Sequence, residues 1–504
     1  MAALNKAKAK PVAKITPLKL GISANGNVQI VKDAKQRLFE IAVASYWGGD
    51  KGTTTHSEAF KVVQSLVLSG DHDYIANTIL FARGSMGIRT FSIALTVQFA
   101  KFLHEQKKSY QHMRALVRDV ISRADEINEM YAYALTVFGS KGSIPLAIKK
   151  GVADAFNKFD AYQFGKYNRA GAISFKDTLR IVHPKPIDGL HGEIFQKIIE
   201  ERLEAPYTWE VELSKNGQLP SSEQKSKAQL WTELFNSGKM GYMGVLRNLR
   251  NISEAGVSDA VCNGVVKYIT NEQNILRSKQ FPYSFVTASQ QVQNYKFKEA
   301  ALTAADLSLC NIPKIGERVV VIVDVSGSMG TGPGSAREIA CFFAAAIAKS
   351  HQTADKLEVI AFSNAAKKIA ISSQLLSGNV VQIANHISTS GGGGGTAFDR
   401  AIEHVNRLSW KPDTIFVLSD GDVNPMKARG HFGDSWVPAG WNKDATRICF
   451  NFREAKTTPM GVENGWHYLG GYSDKIFNYL GYIREGNQMA DALDKPYGQY
   501  VKIG

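Results

Sequence analysis

Three short segments in the C-terminal part of the chain carry oxygen donors at a spacing that suits a hard cation. Asp324-Val325-Ser326-Gly327-Ser328 sets a carboxylate and two hydroxyls on one turn. Thr396 follows the glycine run Gly391–Gly395, and Asp420 closes an apolar run that begins at Asp413. Two carboxylates and three hydroxyls favour Mg²⁺, which commonly keeps part of its water shell and so leaves a position open to a partner's carboxylate. Two plainer readings stand beside this one: Ser and Asp capping the helices that follow, or a correctly folded site that holds no metal. A phosphate-loop reading of the glycines fails, because no GxxxxGK[ST] pattern follows and no lysine is near. The run instead lets the backbone turn tightly and aim Thr396. No His or carboxylate pair is obviously placed to activate water, so binding is expected here and an enzyme is not.

A second set of residues is cationic and lies earlier in the chain. Arg83 and Arg89 surround a helix junction. Lys149 and Lys150 open a helix that has Lys158 near its far end. Lys166-Tyr167-Asn168-Arg169 leads into the segment Phe175 to Pro186, which contains His183 and Lys185. Met240 to Asn251 alternates apolar residues with Arg247 and Arg250 on an expected helix. Lysines and arginines neutralise phosphates, while His and Tyr stack on or hydrogen-bond to unpaired bases. Plainer readings again compete. His183, before a proline, is also a turn residue; Arg247 and Arg250 also suit pairing with helix-terminal carbonyls or acids; Lys149 and Lys150 also suit a solvated face.

The elements that position these two sets differ. From about Asn25 to Leu309 the pattern is helical, with Asp33 and Asp71 as caps and apolar periodicity near 34–48, 57–68, 71–83, 90–105, 109–123, 125–138 and 145–159. Only six prolines fall between Val28 and Ala300, and β-like alternation is scarce. Helix pairs recurring in this way suggest a HEAT-like solenoid without a strict sequence repeat. The polar segment 210–229 reads as an exposed loop within it. At Arg318 the pattern changes to strand alternating with helix: RVVVIVD, a helix at 335–350, LEVIAFS, helices near 377–387 and 397–408, and DTIFVLSDGD. A further strand near 447–451 and a helix near 473–482 complete a doubly wound α/β domain. In such sheets ligands bind beyond the carboxyl ends of the strands, where the three oxygen-bearing segments fall.

Charge divides along the same boundary. Of 504 residues, 60 are Lys or Arg and 46 Asp or Glu, a formal net charge of +14. Residues 316–504 hold 19 basic and 18 acidic side chains, so residues 1–315 keep 41 and 28, and nearly all the excess is theirs. That asymmetry suggests a polyanion-binding module joined to something else, although a well-solvated basic protein has the same arithmetic. Residues 1–24, with five lysines and no acid in the first 20, read as a disordered basic arm. No run of about 18 apolar residues is present, which argues against a membrane span. Four scattered cysteines without a CxxC pair fit a reducing cytoplasm and exclude a disulfide scaffold.

Taken together, the motifs carry a family resemblance. Asp324, Ser326, Ser328, Thr396 and Asp420 resemble the metal-ion-dependent adhesion site of von Willebrand factor type A domains. The LRxxHPKP and YMxxLRNLRN stretches before such a domain resemble the TROVE module of the Ro ribonucleoprotein autoantigen family, over roughly residues 25–480. The resemblance implies a HEAT-like helical ring at 25–315, closed by the type A domain at 316–504. It also implies small noncoding Y-like RNA on the outer surface, matched by Lys166, Arg169 and His183, and single-stranded 3′ ends of misfolded RNA in the hole. The protein is then expected to be a cytoplasmic, non-catalytic monomer in a ribonucleoprotein involved in noncoding-RNA quality control. An exoribonuclease or another protein would dock at the type A domain, and no membrane partner is expected. The candidate RNA-binding set is Lys166, Arg169, His183, Lys185, Arg83, Arg89, Lys149, Lys150, Arg247 and Arg250. The segments 210–229 and 430–445 depart from the family's pattern. A protein-interaction module gripping a partner's carboxylate through Mg²⁺, and a metal-dependent RNA-processing enzyme, are the rival readings.

Overall fold

The computed structural model describes residues 20–22, 28–31, 33–44, 52–168, 173–332, 334–421, 445–452, 457–458, 466–470, 477, 480 and 493–499. Arg169, most of the 430–445 segment and most of the expected 473–482 helix lie outside them.

Eighteen α-helices among the described residues run from Ala34–Ala44 to Tyr295–Leu307, and they make up the solenoid. Their starts are written in the sequence. Asp33 accepts from Gln36 N at 2.8 Å while Gln36 Oε1 accepts from Asp33 N, a reciprocal capping box. Asp160 with Gln163, Ser174 with Asp177 and Ser226 with Gln229 repeat the device. Asp71 does not cap the His72–Gly84 helix through its side chain; it bonds Ser69 and pairs with Lys35 instead.

Three expectations need correction. Residues 210–229 are not one loop, because Thr208 caps a helix at Trp209–Gln218 by accepting from Val211 N. Only 219–226 is irregular there, and it is tied back by Asn216 bonding Lys225. No residue of that helix is fully buried, which is why its polar sequence reads as loop. The expected single helix through Arg247 and Arg250 is two short ones, Tyr242–Arg247 and Leu249–Glu254. Asn248 divides them; its side chain donates to Gly244 O at 2.8 Å. The basic arm is not irregular throughout, since Leu20–Ile22 (β1) pairs antiparallel with Val28–Val31 (β2).

The α/β domain holds Arg318–Asp324 (β3), Lys356–Phe362 (β4), Ala366–Ile369 (β5), Thr414–Ser419 (β6), Thr446–Asn451 (β7), Thr457–Thr458 (β8) and Trp466–Gly470 (β9). The main sheet runs in the order β5-β4-β3-β6-β7-β9, parallel except for the β5 edge. Val319 to Val323 are all fully buried, as a central strand covered on both faces requires. The Ala336–Ser350 helix lies on one face and Phe398–Asn406 on the other.

Both ends of the helical module are fastened to this domain, so the chain closes into a ring of contacts. At one end Ile315 N donates to His351 Nε2 at 3.0 Å, and Asp306 meets both Lys349 and the amide of Val380. At the other end the segment after β9 returns to the first helices. The fully buried Asn77 donates to the carbonyls of Leu493 (3.0 Å) and Lys495 (2.7 Å) and accepts from Gly498 N (3.2 Å). Tyr497 stacks on His112 at 4.9 Å and donates to Asp119, while Lys35 pairs with Asp494. β2 also pairs with β8.

Candidate metal centre and candidate nucleic-acid interface

The three oxygen-bearing loops meet at the carboxyl ends of β3 and β6. Asp324 ends β3 with no exposed surface; Ser326 and Asp420 are also buried, and Ser328 and Thr396 are partly so. Asp324 Oδ1 accepts from Ser326 N at 2.9 Å, and its Oδ2 accepts from Ser419 Oγ at 2.7 Å. Ser419 Oγ in turn accepts from Gly421 N, so one hydroxyl links the two carboxylate loops. The Ser326 and Ser328 hydroxyls are 3.1 Å apart.

The glycine run is bound to the same turn. Gly327 N donates to Gly394 O at 2.7 Å, two residues before Thr396. Gly392 and Gly394 have φ of +77° and +114°, conformations a side chain disfavours. Arg337 donates to the carbonyls of Ser388 and Gly392, and Asn364 accepts from Gly395 N at 2.6 Å. The glycines therefore serve to shape the loop that presents Thr396. Arg337 and Asn364 support that loop and Ser419 supports Asp324, and no sequence motif marks any of the three.

This arrangement fits a hard cation. Burial, with a smaller contribution from nearby Asp420, pushes the Asp324 carboxyl up to about 6. Buried carboxylates in proximity are what a divalent ion neutralises. Among the described residues no cluster of three or more His, Cys, Asp or Glu suits a metal. A mixed carboxylate–hydroxyl set such as this is of a different, oxygen-only type.

The cationic candidates separate by their partners. Arg83, 12% exposed, is held by the fully buried Glu126 at 2.6 Å. Arg89 reaches Asp125 (2.7 Å), Glu126 (3.2 Å) and Glu129. Glu126 also accepts from the amides of Ser122 and Arg123, so these arginines brace a helix junction. The charge of Arg83 is thereby matched inside the protein. Lys158 is likewise structural, donating to Arg118 O (2.7 Å) in the last turn of the Met113–Val120 helix and to Ile121 O just after it. Burial lowers its pKa.

His183 is exposed and caps the Phe175–Val182 helix in the left-handed region, with φ of +49°. It is a turn residue that also faces solvent. Lys185 is exposed beside it, its carbonyl held by Asn157. Lys150 is exposed and Lys149 partly so, and neither has an ion pair among the described residues. Arg250 is exposed, 3.8 Å from Glu254.

Lys166, Arg89 and Arg247, far apart in sequence, line one cavity of about 730 Å³. Arg123 and Lys239 join them, as do Tyr162, Tyr167 and Trp209. Two cations approach the Tyr167 ring, Arg123 at 4.6 Å and Lys166 at 5.5 Å from its centre. Trp209 stands one residue before the 210–229 segment, and no sequence motif marks it.

Comparison with known proteins agrees with this division. Residues 200–317 match the TROVE domain family and residues 319–422 match a von Willebrand factor type A domain. The chain carries a TROVE domain followed by a von Willebrand factor type A domain. Telomerase protein component 1 of Mus musculus is 35% identical over 91 residues, and that of Rattus norvegicus 36% identical over 87. These matches take 18% and 17% of this chain and 3% of each relative's length. A crystal structure of the Ro (RSR) protein of Deinococcus radiodurans superposes with a TM-score of 0.61 over 90% of this chain and 100% of that one. At 15% identity it shows a shared fold. The helical region and the α/β domain after it thus share that protein's fold.

Proposed function

We propose that this TROVE-domain protein is a non-catalytic RNA-binding protein of the cytoplasm that works as a ribonucleoprotein. Small structured RNA, Y-like in kind, would lie against Lys166, Arg169, His183 and Lys185, with Lys149 and Lys150 as further phosphate contacts. Single-stranded 3′ ends of misfolded RNA would enter the ring. The type A domain closes the ring and holds Mg²⁺ through Asp324, Ser326, Ser328, Thr396 and Asp420. When bound, the cation offers a Lewis-acidic position to the carboxylate of a docking protein such as a nuclease.

The observation that carries this reading is the pairing of charge in the helical module. Arg83 and Arg89 are matched by Glu126 and its neighbours, whereas Lys166, Lys239 and Arg247 line a cavity with no ion-pair partner among the described residues. Unmatched cations beside aromatic rings suit a polyanion with exposed bases. Changing Lys166, Arg169 and His183 together to Ala is expected to weaken structured-RNA binding while the melting curve stays that of the wild type. Unchanged affinity in a filter-binding assay would reject this surface.

A further inference from the structure

The cavity around Trp209 has a construction that phosphate neutralisation alone does not require. Five cationic side chains line it against three acidic ones, and two of those acids, Asp125 and Glu129, are already engaged by Arg89. Lys239 and Arg247 are exposed, and Lys239 sits 4.9 Å from the Tyr207 ring centre. Free positive charge therefore gathers on one part of the wall.

The aromatic part is rigid. Trp209 is the first residue of its helix, fixed by the Thr208 cap. It is backed by the buried Trp231, whose ring lies 6.3 Å away and 27° from parallel. Gly244 lies against its indole edge, where an added Cβ would come 3.7 Å from Nε1. Tyr162, 54% exposed, stands on a second helix locked by the Asp160–Gln163 capping box. A tryptophan backed on one side and left partly open to a cavity is a stacking platform. Its position beside unmatched cations gives the two parts of a nucleotide separate receptors.

We propose that this cavity receives an unpaired nucleotide, its base against Trp209 and Tyr162 and its phosphate near Lys166, Lys239 and Arg247. The inference rests on the RNA-binding reading and adds to it the residues that would receive an unpaired base and its phosphate. A duplex keeps its bases stacked and cannot offer one to Trp209, so the cavity distinguishes unpaired from paired RNA.

Fluorescence anisotropy on the full chain tests this with a labelled oligouridylate strand, a blunt RNA duplex of equal length, and unlabelled UMP as competitor. Trp209→Ala should weaken binding of the strand by about 5- to 150-fold, the range for one lost base–aromatic stack. Duplex affinity should not change, and Trp209→Phe should recover most of the loss. Lys239→Ala with Arg247→Ala, both at exposed positions, should lower the salt slope for the strand by about 0.7 per cation removed. These two tests stand even if Trp209→Ala fails to fold. Competition by UMP at the strand's own affinity would support the same chemistry with free nucleotide as its source. Strand affinity unchanged in Trp209→Ala, or strand and duplex weakened equally, would overturn the receptor while leaving RNA binding standing. Failure of the wild-type chain to bind either RNA would reject the RNA-binding reading itself.

Discussion

Glu126 of the helical module and Asp324 of the α/β domain are buried carboxylates treated in opposite ways. In the helical module the buried carboxylate of Glu126 is met by Arg83, Arg89 and two backbone amides, and the cations left over face solvent or the cavity. In the α/β domain Asp324 is met by hydroxyl and amide donors and lies near a second buried carboxylate, Asp420. Around Glu126 the negative charge is settled internally, as it is at Glu358, which pairs with Lys368 and His404. At the Asp324 site carboxylates are left for something positive to neutralise. Formal charge along the sequence does not distinguish an arginine that braces a helix junction from one that meets a ligand; the partner does.

The sharpest way to break the comparison is at Glu126. Glu126→Ala removes the acceptor of two arginines and two amides, and is expected to destabilise the fold by about 3–5 kcal/mol, as for a broken buried ion pair. Arg250→Ala, at an exposed pair with 3.8 Å separation, should change stability by about 0.5 kcal/mol or less. Thermal melts of both variants check the ordering; equal effects would erase the distinction between bracing and surface cations.

On the other side, Mg²⁺ at about 100 times its dissociation constant should stabilise the wild type by about 2.7 kcal/mol and leave Asp324→Ala unmoved. Equal shifts in both would remove Asp324 from the ligand set. A local effect is expected where the two regions join. Asn77→Ala leaves two carbonyls and one amide of the 493–499 segment without their partner, costing about 1–3 kcal/mol for each group that stays buried. Hydrogen exchange in that segment should then rise ahead of the rest of the chain. Protection that persists would show that the closure does not depend on Asn77.

How much of this was legible in the sequence follows from where the determinants sit. The β3 run and its DxSxS turn are local, and hydrophobicity and spacing alone place Asp324, Ser326 and Ser328 together. Capping residues such as Asp33 and Ser174 mark helix starts because the cap bond is made within a few residues. The Trp209–Gln218 helix was missed because its stability comes from a cap and a tryptophan contact rather than from an apolar stripe. The role of Arg83 was missed because Glu126 is 43 residues away. Fastening of the C-terminal segment to Asn77 spans more than 400 residues, beyond any periodicity argument.

The central claim is that the helical module presents its unmatched cations to RNA. An equilibrium titration of structured RNA against the full chain across a range of monovalent salt tests it most directly. The account predicts a linear fall of log affinity with log salt, steep enough for several phosphates to be neutralised, with Asp324→Ala giving the same slope as the wild type. A flat response, or a slope that collapses when Asp324 is changed, would contradict it.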